Sequence, residues 1–250
     1  MSHPVIALWA APRTRSTAFL RMIIERGDLL VVHEPLSNLA ALGTVDVGGT
    51  PATSETEVLD LLLDLAATSG RRVFVKETTD YRYPGVLADP RLHTHLANTF
   101  MIRDPAAVVA SHHAMNRSVD LDEIGFERLH EIFEAVRGPL GEAPVVIDGD
   151  DLVADPEGVV AAFCARTGLP FDPAALRWES TPRKEWDRTR DWHQDVERST
   201  GFTTQTTRHA VRVDNDPRLA ALAAHHQPFY DRLYAHRLPP RTAAEQPTGT

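Results

Sequence analysis

The chain has 250 residues, of which 42% are hydrophobic and 24% are charged. This composition is typical of a globular protein with a sizeable core and excludes wholesale disorder. The net charge of −9 argues against a nucleic-acid-binding protein, which normally carries a basic surface. The single cysteine, Cys164, excludes an intrachain disulfide and a cysteine-based zinc site. No apolar run reaches the ~18 residues of a membrane helix, and no basic flank marks a signal peptide, so we expect a cytoplasmic protein without a membrane partner.

Short apolar runs alternate with helical patterns along most of the chain. A buried strand is predicted at Val5–Ala10, followed by a helix at Ser16–Arg26 that ends at Gly27. The other predicted strands are Leu29–His33, Arg72–Lys76, Asn98–Ile102 and Pro144–Ile147. The other predicted helices are Glu55–Thr68, Pro105–Met115, Phe126–Val136, Pro156–Thr167 and Pro217–His236.

This alternation predicts the fold class. Strands that alternate with helices form a mostly parallel sheet with right-handed crossovers and helices on both faces. We therefore expect a three-layer α/β fold with five strands, in one domain at residues 1–238, followed by a disordered tail at residues 239–250. Ligands of open parallel sheets bind at the carboxyl ends of the strands, so the residues just after each strand are the functional candidates.

The segment between the first strand and the first helix carries groups suited to an anion. Its members are Arg13, Thr14, Arg15, Ser16 and Thr17. A helix N-terminus with hydroxyl and guanidinium side chains is suited to phosphate or sulfate. The segment is not a Walker A loop, because it lacks the necessary glycines. A capped helix start with solvated arginines is the alternative interpretation.

Two further strand ends carry basic residues. Arg103 follows the fourth strand, and Ser111 lies eight residues later on a helix, so both could contact one phosphate. The alternative is a helix start capped by Asp104. Lys76, one of only two lysines in the chain, ends the third strand, where an ammonium could stabilise charge that develops during group transfer. A solvated lysine is the alternative.

The second strand ends in two candidate proton acceptors. His33 and Glu34 each carry a group that could act as a general base, although one such residue at a strand end is more often structural. The remaining histidines lack a third ligand at convincing spacing, so no metal is predicted.

Together these segments resemble the sulfotransferases that use 3′-phosphoadenosine 5′-phosphosulfate (PAPS). Residues 12–17 resemble the family's 5′-phosphosulfate loop, commonly P-[KR]-[ST]-G-[ST]-[ST]. Arg103, followed by Asp-Pro and by Ser111, resembles its 3′-phosphate motif. Lys76 falls where family members place a lysine after the third strand. The resemblance implies a P-loop-like nucleotide-binding architecture. Within the family, it implies a bacterial-type cytosolic sulfotransferase.

The resemblance extends over roughly residues 4–172 and includes two departures. Residues 148–156, followed by Thr-Gly-Leu at 167–169, resemble the family segment Y-E-D-L … D-P … F-L-G-L. Arg15 replaces the loop glycine. Thr78 stands where many cytosolic members carry a histidine base, so proton removal falls to another residue, with Glu34 the first choice and His33 the second.

The resemblance implies transfer of a sulfuryl group from PAPS to a hydroxyl of a small-molecule or carrier-bound acceptor, with the nucleotide PAP as product and without a metal. The implied catalytic residues are Arg13, Lys76, Glu34 and His33. The implied donor-binding residues are Arg13, Thr14, Arg15, Ser16, Thr17, Arg103, Ser111, Arg198 and Gly201. The last two belong to a loose substitute for the family's C-terminal Arg-Lys-Gly loop. Two alternatives stay open, a small-molecule kinase that uses ATP and a non-catalytic relative that binds PAP.

Overall fold

The computed structural model describes residues 3–140, 143–203 and 209–240. Seven strands lie in these ranges: β1 (Val5–Ala10), β2 (Leu30–His33), β3 (Val45–Val47), β4 (Thr50–Ala52), β5 (Val73–Thr78), β6 (Leu96–Ile102) and β7 (Val145–Asp148). β3 and β4 form an antiparallel hairpin. The other five form one sheet in the order β2-β5-β1-β6-β7, with every neighbouring pair parallel.

Helices connect and cover the strands. Those before β6 are α1 (Ser16–Arg26), α2 (Pro35–Leu42), α3 (Glu55–Ser69), α4 (Pro84–Ala88) and α5 (Arg91–Thr94). Those after β6 are α6 (Pro105–Met115), α7 (Leu121–Ile124), α8 (Phe126–Leu140), α9 (Gly149–Ala154), α10 (Pro156–Thr167), α11 (Gln194–Arg198) and α12 (Pro217–Tyr234). Two 3-10 stretches lie at Pro173–Leu176 and Lys184–Trp192. Within the described ranges, no helix is both long enough and apolar enough to cross a membrane.

The central strand β1 is buried on both faces and separates two cores. Val5, Ala7 and Trp9 pack with α3, α6, α8 and α12 on one side. Ile6 and Leu8, which alternate with them along the strand, pack with α1 and α10 on the other side. Helices therefore cover both faces, and the sequence prediction of a three-layer α/β fold with a parallel five-stranded sheet is confirmed.

The sequence prediction located the main elements but missed α2, the hairpin and the short helices α4, α5, α7, α9 and α11. All five sheet strands and six predicted helices are present, with ends shifted by a few residues at most. Pro35, two residues after the end of β2, is the first residue of α2, a position that needs no N–H hydrogen bond. Of the predicted tail at residues 239–250, residues 241–250 lie outside the described residues.

Candidate active site

The carboxyl ends of the parallel strands border an open cleft with a volume of about 1130 Å³. Its walls come from the segments after β1, β2, β5 and β6, from α6, and from residues 192–203 and 209–214. Because this is the edge where ligands of open parallel sheets bind, the cleft is the candidate functional site.

The loop between β1 and α1 forms one wall of the cleft. Within the described part of the chain, no side chain caps the α1 N-terminus at Ser16, so its N–H groups and positive dipole end are suited to an anion. Arg13 and Arg15 have φ angles of 65° and 73°, in the left-handed region that favours glycine. Arg15 therefore keeps the backbone of the glycine that it replaces and adds a guanidinium.

Arg13 joins the two segments that the sequence assigned to phosphate binding. Its Nε donates a hydrogen bond to Ser111 Oγ at 3.0 Å, and its Nη1 donates to the Trp192 carbonyl at 2.8 Å. The guanidinium carbon lies 5.8 Å from the centre of the Trp192 ring. Burial lowers the pKa of Arg13, but a guanidinium remains protonated in proteins. The fold thus places a fixed positive charge between the β1 loop and α6.

One carboxylate bridges Arg15 and Arg103, which also line the cleft. Asp150 Oδ1 lies 2.9 Å from Arg15 Nη2 and 3.2 Å from Arg103 Nε. Asp150 is 47% exposed in its side chain, whereas the guanidinium groups are largely buried. The two arginines are therefore arranged around one anionic oxygen, which is the arrangement that a phosphate oxygen needs.

Gly149 allows α9 to approach the β1 loop closely. A Cβ atom on Gly149 would lie 2.4 Å from the carbonyl oxygen of Thr14, well inside any normal contact distance. Only glycine fits here, and the close approach brings Asp150 within reach of Arg15. The sequence signal is the Asp-Gly-Asp-Asp segment at residues 148–151, whose first aspartate caps α9.

A buried ion pair lies at the junction of β2 and β5. The Lys76 ammonium contacts Glu34 Oε1, and the two side chains are only 2% and 10% exposed. Burial by itself would raise the pKa of Glu34, but the charge and hydrogen bond of Lys76, together with His33 and His193, outweigh burial and lower the pKa to about 2. Glu34 is therefore a carboxylate at neutral pH and a weak base while Lys76 is bound to it.

A second buried carboxylate positions Glu34. Glu77 accepts hydrogen bonds from the backbone N–H groups of Leu36 at 2.7 Å and Ser37 at 3.1 Å, at the first turn of α2. Burial and the neighbouring Glu34 raise the pKa of Glu77 well above its ordinary value. Glu34 is the residue just before α2 and has a φ angle of 50°. Glu77 thus fixes the helix start that places Glu34 against Lys76.

Trp192 and His193 lie over the loop between β1 and α1, residues 11–15, which we call the anion loop. Trp192 stacks edge-on with His112 and contacts Arg13. His193 Nδ1 lies 3.1 Å from Thr17 Oγ1, and burial lowers the pKa of His193 to about 3, so its ring is neutral at pH 7. Trp192 is the last residue of the 3-10 stretch Lys184–Trp192, and His193 follows it directly. This segment has no hydrophobic periodicity from which the positions of the two side chains could be predicted.

Three potential metal ligands meet behind the ion pair. One ligand atom from each of His33, Glu34 and His193 lies within 4.8 Å of the others. Lys76 binds the same Glu34 oxygen, and its positive charge opposes a divalent cation there. The absence of a metal stays a prediction.

Most of the predicted site residues line the cleft. These are Arg13, Arg15, Ser16, Thr17, Glu34, Lys76, Arg103, Ser111 and Gly201. The cleft lining does not include Thr14, whose buried hydroxyl donates to the Ala11 carbonyl at 2.8 Å, or His33, which packs edge-on against Trp186 and His193. Arg198 lines a neighbouring groove instead. Burial lowers the pKa of His33 to about 4.

A family model described as "Sulfotransferase domain" matches residues 4–237. The chain belongs to the sulfotransferase domain family. The match includes the β1 loop, Lys76, the Arg103 segment and the Lys184–Trp192 stretch, and so extends well beyond the four motifs of the sequence resemblance.

Two plant proteins are similar to this chain over most of its length. Branched-chain-amino-acid aminotransferase-like protein 2 of Arabidopsis thaliana is 27% identical over 216 residues, which cover 80% of this chain and 36% of that protein. Branched-chain-amino-acid aminotransferase-like protein 1 is 29% identical over 226 residues, which cover 82% and 38%. The chain therefore spans little more than a third of the length of these relatives.

Solved structures of sulfotransferases also resemble the chain. The sulfotransferase domain of the Synechococcus PCC 7002 olefin synthase is 14% identical, with 94% of this chain and 95% of that chain covered and a TM-score of 0.47. Retinol dehydratase in complex with androsterone and PAP is 12% identical, with 98% and 84% covered and a TM-score of 0.45. Both likenesses are distant.

Proposed function

We propose that the chain is a sulfotransferase that moves a sulfuryl group from PAPS to a hydroxyl of a small-molecule or carrier-bound acceptor. The observation that carries this proposal is the 3.0 Å hydrogen bond between Arg13 and Ser111, because it joins two anion-binding segments in one cleft. Family membership supports the reaction class. A cytoplasmic location belongs to the same proposal.

The residues of the cleft fit a nucleotide with phosphates at two positions. The N-terminus of α1, with Ser16, Thr17 and Arg13, suits the 5′-phosphosulfate, and Arg103 with Ser111 suits the 3′-phosphate. Asp150 already shows how Arg15 and Arg103 hold an anionic oxygen. Bound PAPS supplies the sulfuryl group, so the protein contributes binding, orientation and charge.

Arg13 and Lys76 are the residues that we expect to act on the developing charge. Group transfer of this kind depends mainly on positioning and electrostatic stabilisation. Arg13 holds a permanent charge at the mouth of the anion loop, while Lys76 holds an ammonium on a flexible stem at the end of β5. Glu34 orients Lys76 in the absence of the nucleotide.

Binding of PAP and of AMP, which lacks the 3′-phosphate, tests the donor assignment by calorimetry. We expect PAP to bind more tightly than AMP. Arg103→Ala should weaken the binding of PAP by about 10- to 100-fold and leave the binding of AMP nearly unchanged, because a hydrogen bond to a charged group contributes about 1.5–3 kcal/mol. The exposed Arg82, paired with Glu131 at 2.7 Å, offers Arg82→Ala as a matched control that should change neither affinity.

The same titration separates the alternatives. Binding of ATP only with magnesium, without PAP binding, would refute the donor assignment and favour a kinase. PAP binding without transfer from PAPS to any acceptor would identify a non-catalytic relative. Transfer that needs Arg13 would establish the enzyme, because Arg13→Ala should then lower kcat while the fold persists.

A further inference from the structure

Two carboxylates line the cleft beside Lys76, and they differ in their capacity to take a proton. Glu34 is bound to the Lys76 ammonium, which together with His33 and His193 lowers its pKa to about 2. A carboxylate with so low a proton affinity is a poor base towards a hydroxyl. The second carboxylate is Asp80, which follows β5 and also lines the cleft.

Hydroxyl groups position the Asp80 carboxylate. Its Oδ1 accepts a hydrogen bond from Thr78 Oγ1 at 2.7 Å, and Ser37 Oγ lies 3.4 Å from the same oxygen. No ammonium or guanidinium in the described ranges forms an ion pair with Asp80. Asp80 is thus held by neutral donors, whereas Glu34 is held by a charge.

The charged surroundings of Asp80 come from three elements. Lys76 and Glu77 belong to β5, and Glu34 lies at the start of α2. Arg128 of α8 binds the Asp80 carbonyl rather than its carboxylate. Burial raises the pKa of Asp80, and Glu34 adds to the rise, while the Thr78 hydrogen bond and Lys76 oppose it. Asp80 therefore has a higher proton affinity than an exposed aspartate.

The lining of the cleft also includes apolar side chains that an organic acceptor could contact. Tyr81, the neighbour of Asp80 in sequence, is 39% exposed and Met115 is 43% exposed, and both line the cleft with Ala41 of α2. Arg13, Arg15 and Arg103 line the same cleft at the ends of β1 and β6. The cleft thus offers basic groups for the donor and apolar groups for an acceptor, and Asp80 belongs to the same lining.

We propose that Asp80 is the general base that takes the proton of the acceptor hydroxyl. This inference rests on the proposed function. In the transfer step, the acceptor oxygen forms a bond to sulfur while the bond from sulfur to the 5′-phosphate oxygen breaks. The electron pair of the broken bond stays on the phosphate oxygen of PAP, and the hydroxyl proton goes to the Asp80 carboxylate. Glu34 has a different role, which is to position Lys76.

A series of phenols that share one shape and differ in acidity tests this assignment. A general base matters most for an acceptor that is protonated at the working pH, such as phenol, and least for 4-nitrophenol, which ionises near neutral pH. Asp80→Asn should lower kcat about 10²- to 10⁴-fold for phenol and clearly less for 4-nitrophenol at pH 8.5. Asp64→Asn, which changes an exposed carboxylate on α3, is the matched control and should change neither rate.

Thr78→Val provides a second test that does not remove the carboxylate. Loss of the hydrogen bond to Oδ1 should raise the pKa of Asp80, so the acidic limb of the kcat profile should move to higher pH. PAP affinity should stay unchanged in both variants, which separates the base from donor binding and from misfolding.

The outcomes are distinguishable. An equal loss for phenol and 4-nitrophenol in Asp80→Asn, or an acidic limb that Thr78→Val does not move, would overturn the assignment of Asp80 while the transferase function stands. A wild-type protein that binds PAP but transfers the sulfuryl group of PAPS to no hydroxyl acceptor, whether phenol, alcohol or carrier-bound, would overturn the assignment together with the proposed function.

Discussion

The buried pair of Lys76 and Glu34 predicts a large, pH-dependent coupling energy. Its side chains are 2% and 10% exposed, so water screens their attraction little. The pKa of Glu34 falls from the ordinary 4.5 to about 2, and at about 1.4 kcal/mol per pH unit this corresponds to about 3 kcal/mol of folding free energy. Lys76 is the strongest of the attractions that outweigh burial in this shift, so we expect a coupling on the order of 3 kcal/mol between the two side chains at pH 7.

A double-mutant cycle with Lys76→Met and Glu34→Gln measures this coupling. Either single variant leaves one buried group without its partner, so each should lower the free energy of unfolding by about 3–5 kcal/mol. The double variant should lose clearly less than the sum of the two. Urea unfolding of the four proteins gives the values.

The sign of the pH dependence follows from the lowered pKa of Glu34. Because the folded-state value lies below the unfolded one, the stabilisation is complete above about pH 4.5 and is lost as the pH falls towards about 2. The coupling should fall to roughly half or less by pH 3. The exposed pair Arg82 and Glu131, with side chains 52% and 47% exposed, is the matched control and should couple by less than about 1 kcal/mol at either pH. A Lys76–Glu34 coupling as small as this control, or one that does not change with pH, would refute the reasoning.

Two further predictions concern the anion loop. Gly149→Ala should destabilise the protein by about 1–3 kcal/mol and weaken PAP binding, because the new Cβ would lie 2.4 Å from the Thr14 carbonyl. Gly138→Ala is the control and should leave PAP binding unchanged, because apart from its chain neighbours and the backbone of its own helix nothing lies within 4 Å of the new Cβ. Asp150→Asn should tighten PAP binding several-fold at low salt, since its carboxylate competes for Arg15 and Arg103, and the gain should shrink at about 1 M salt. Weaker binding in Asp150→Asn would show that Asp150 positions the arginines rather than competes with the ligand.

Local signals in the sequence were sufficient for the sheet and for the donor region. The β1 run of six apolar residues, the glycine after α1, and the prolines that begin α6 and α10 each act over a few positions, so the pattern gives the elements directly. The rule that ligands bind at the carboxyl ends of parallel strands then placed Arg13, Lys76 and Arg103 together.

The contacts that refine the site depend on tertiary packing. Asp150 reaches Arg15 across 135 positions of sequence, and His193 reaches Thr17 across 176. No local sequence pattern predicts either contact. Thr14 and His33 have suitable side chains for binding or catalysis, but the turn of the chain buries the first and the packing of Trp186 covers the second. Residue type and strand position therefore predicted the region of the site more reliably than the direction of each side chain.

Arg13, Arg15 and Glu34 have left-handed backbone conformations, so in directed evolution a substitution there that raises thermostability should lower activity. At each position a glycine would relieve roughly 1–2 kcal/mol of steric strain, while it would delete a guanidinium or the partner of Lys76. A library selected for heat resistance alone should accumulate glycine at position 15, where the relieved strain has to outweigh an ion pair with the half-exposed Asp150 and a hydrogen bond to the Thr203 carbonyl. Such a library should converge on a more heat-resistant protein with lower affinity for anions. Selection that alternates heating with a binding step would retain Arg15.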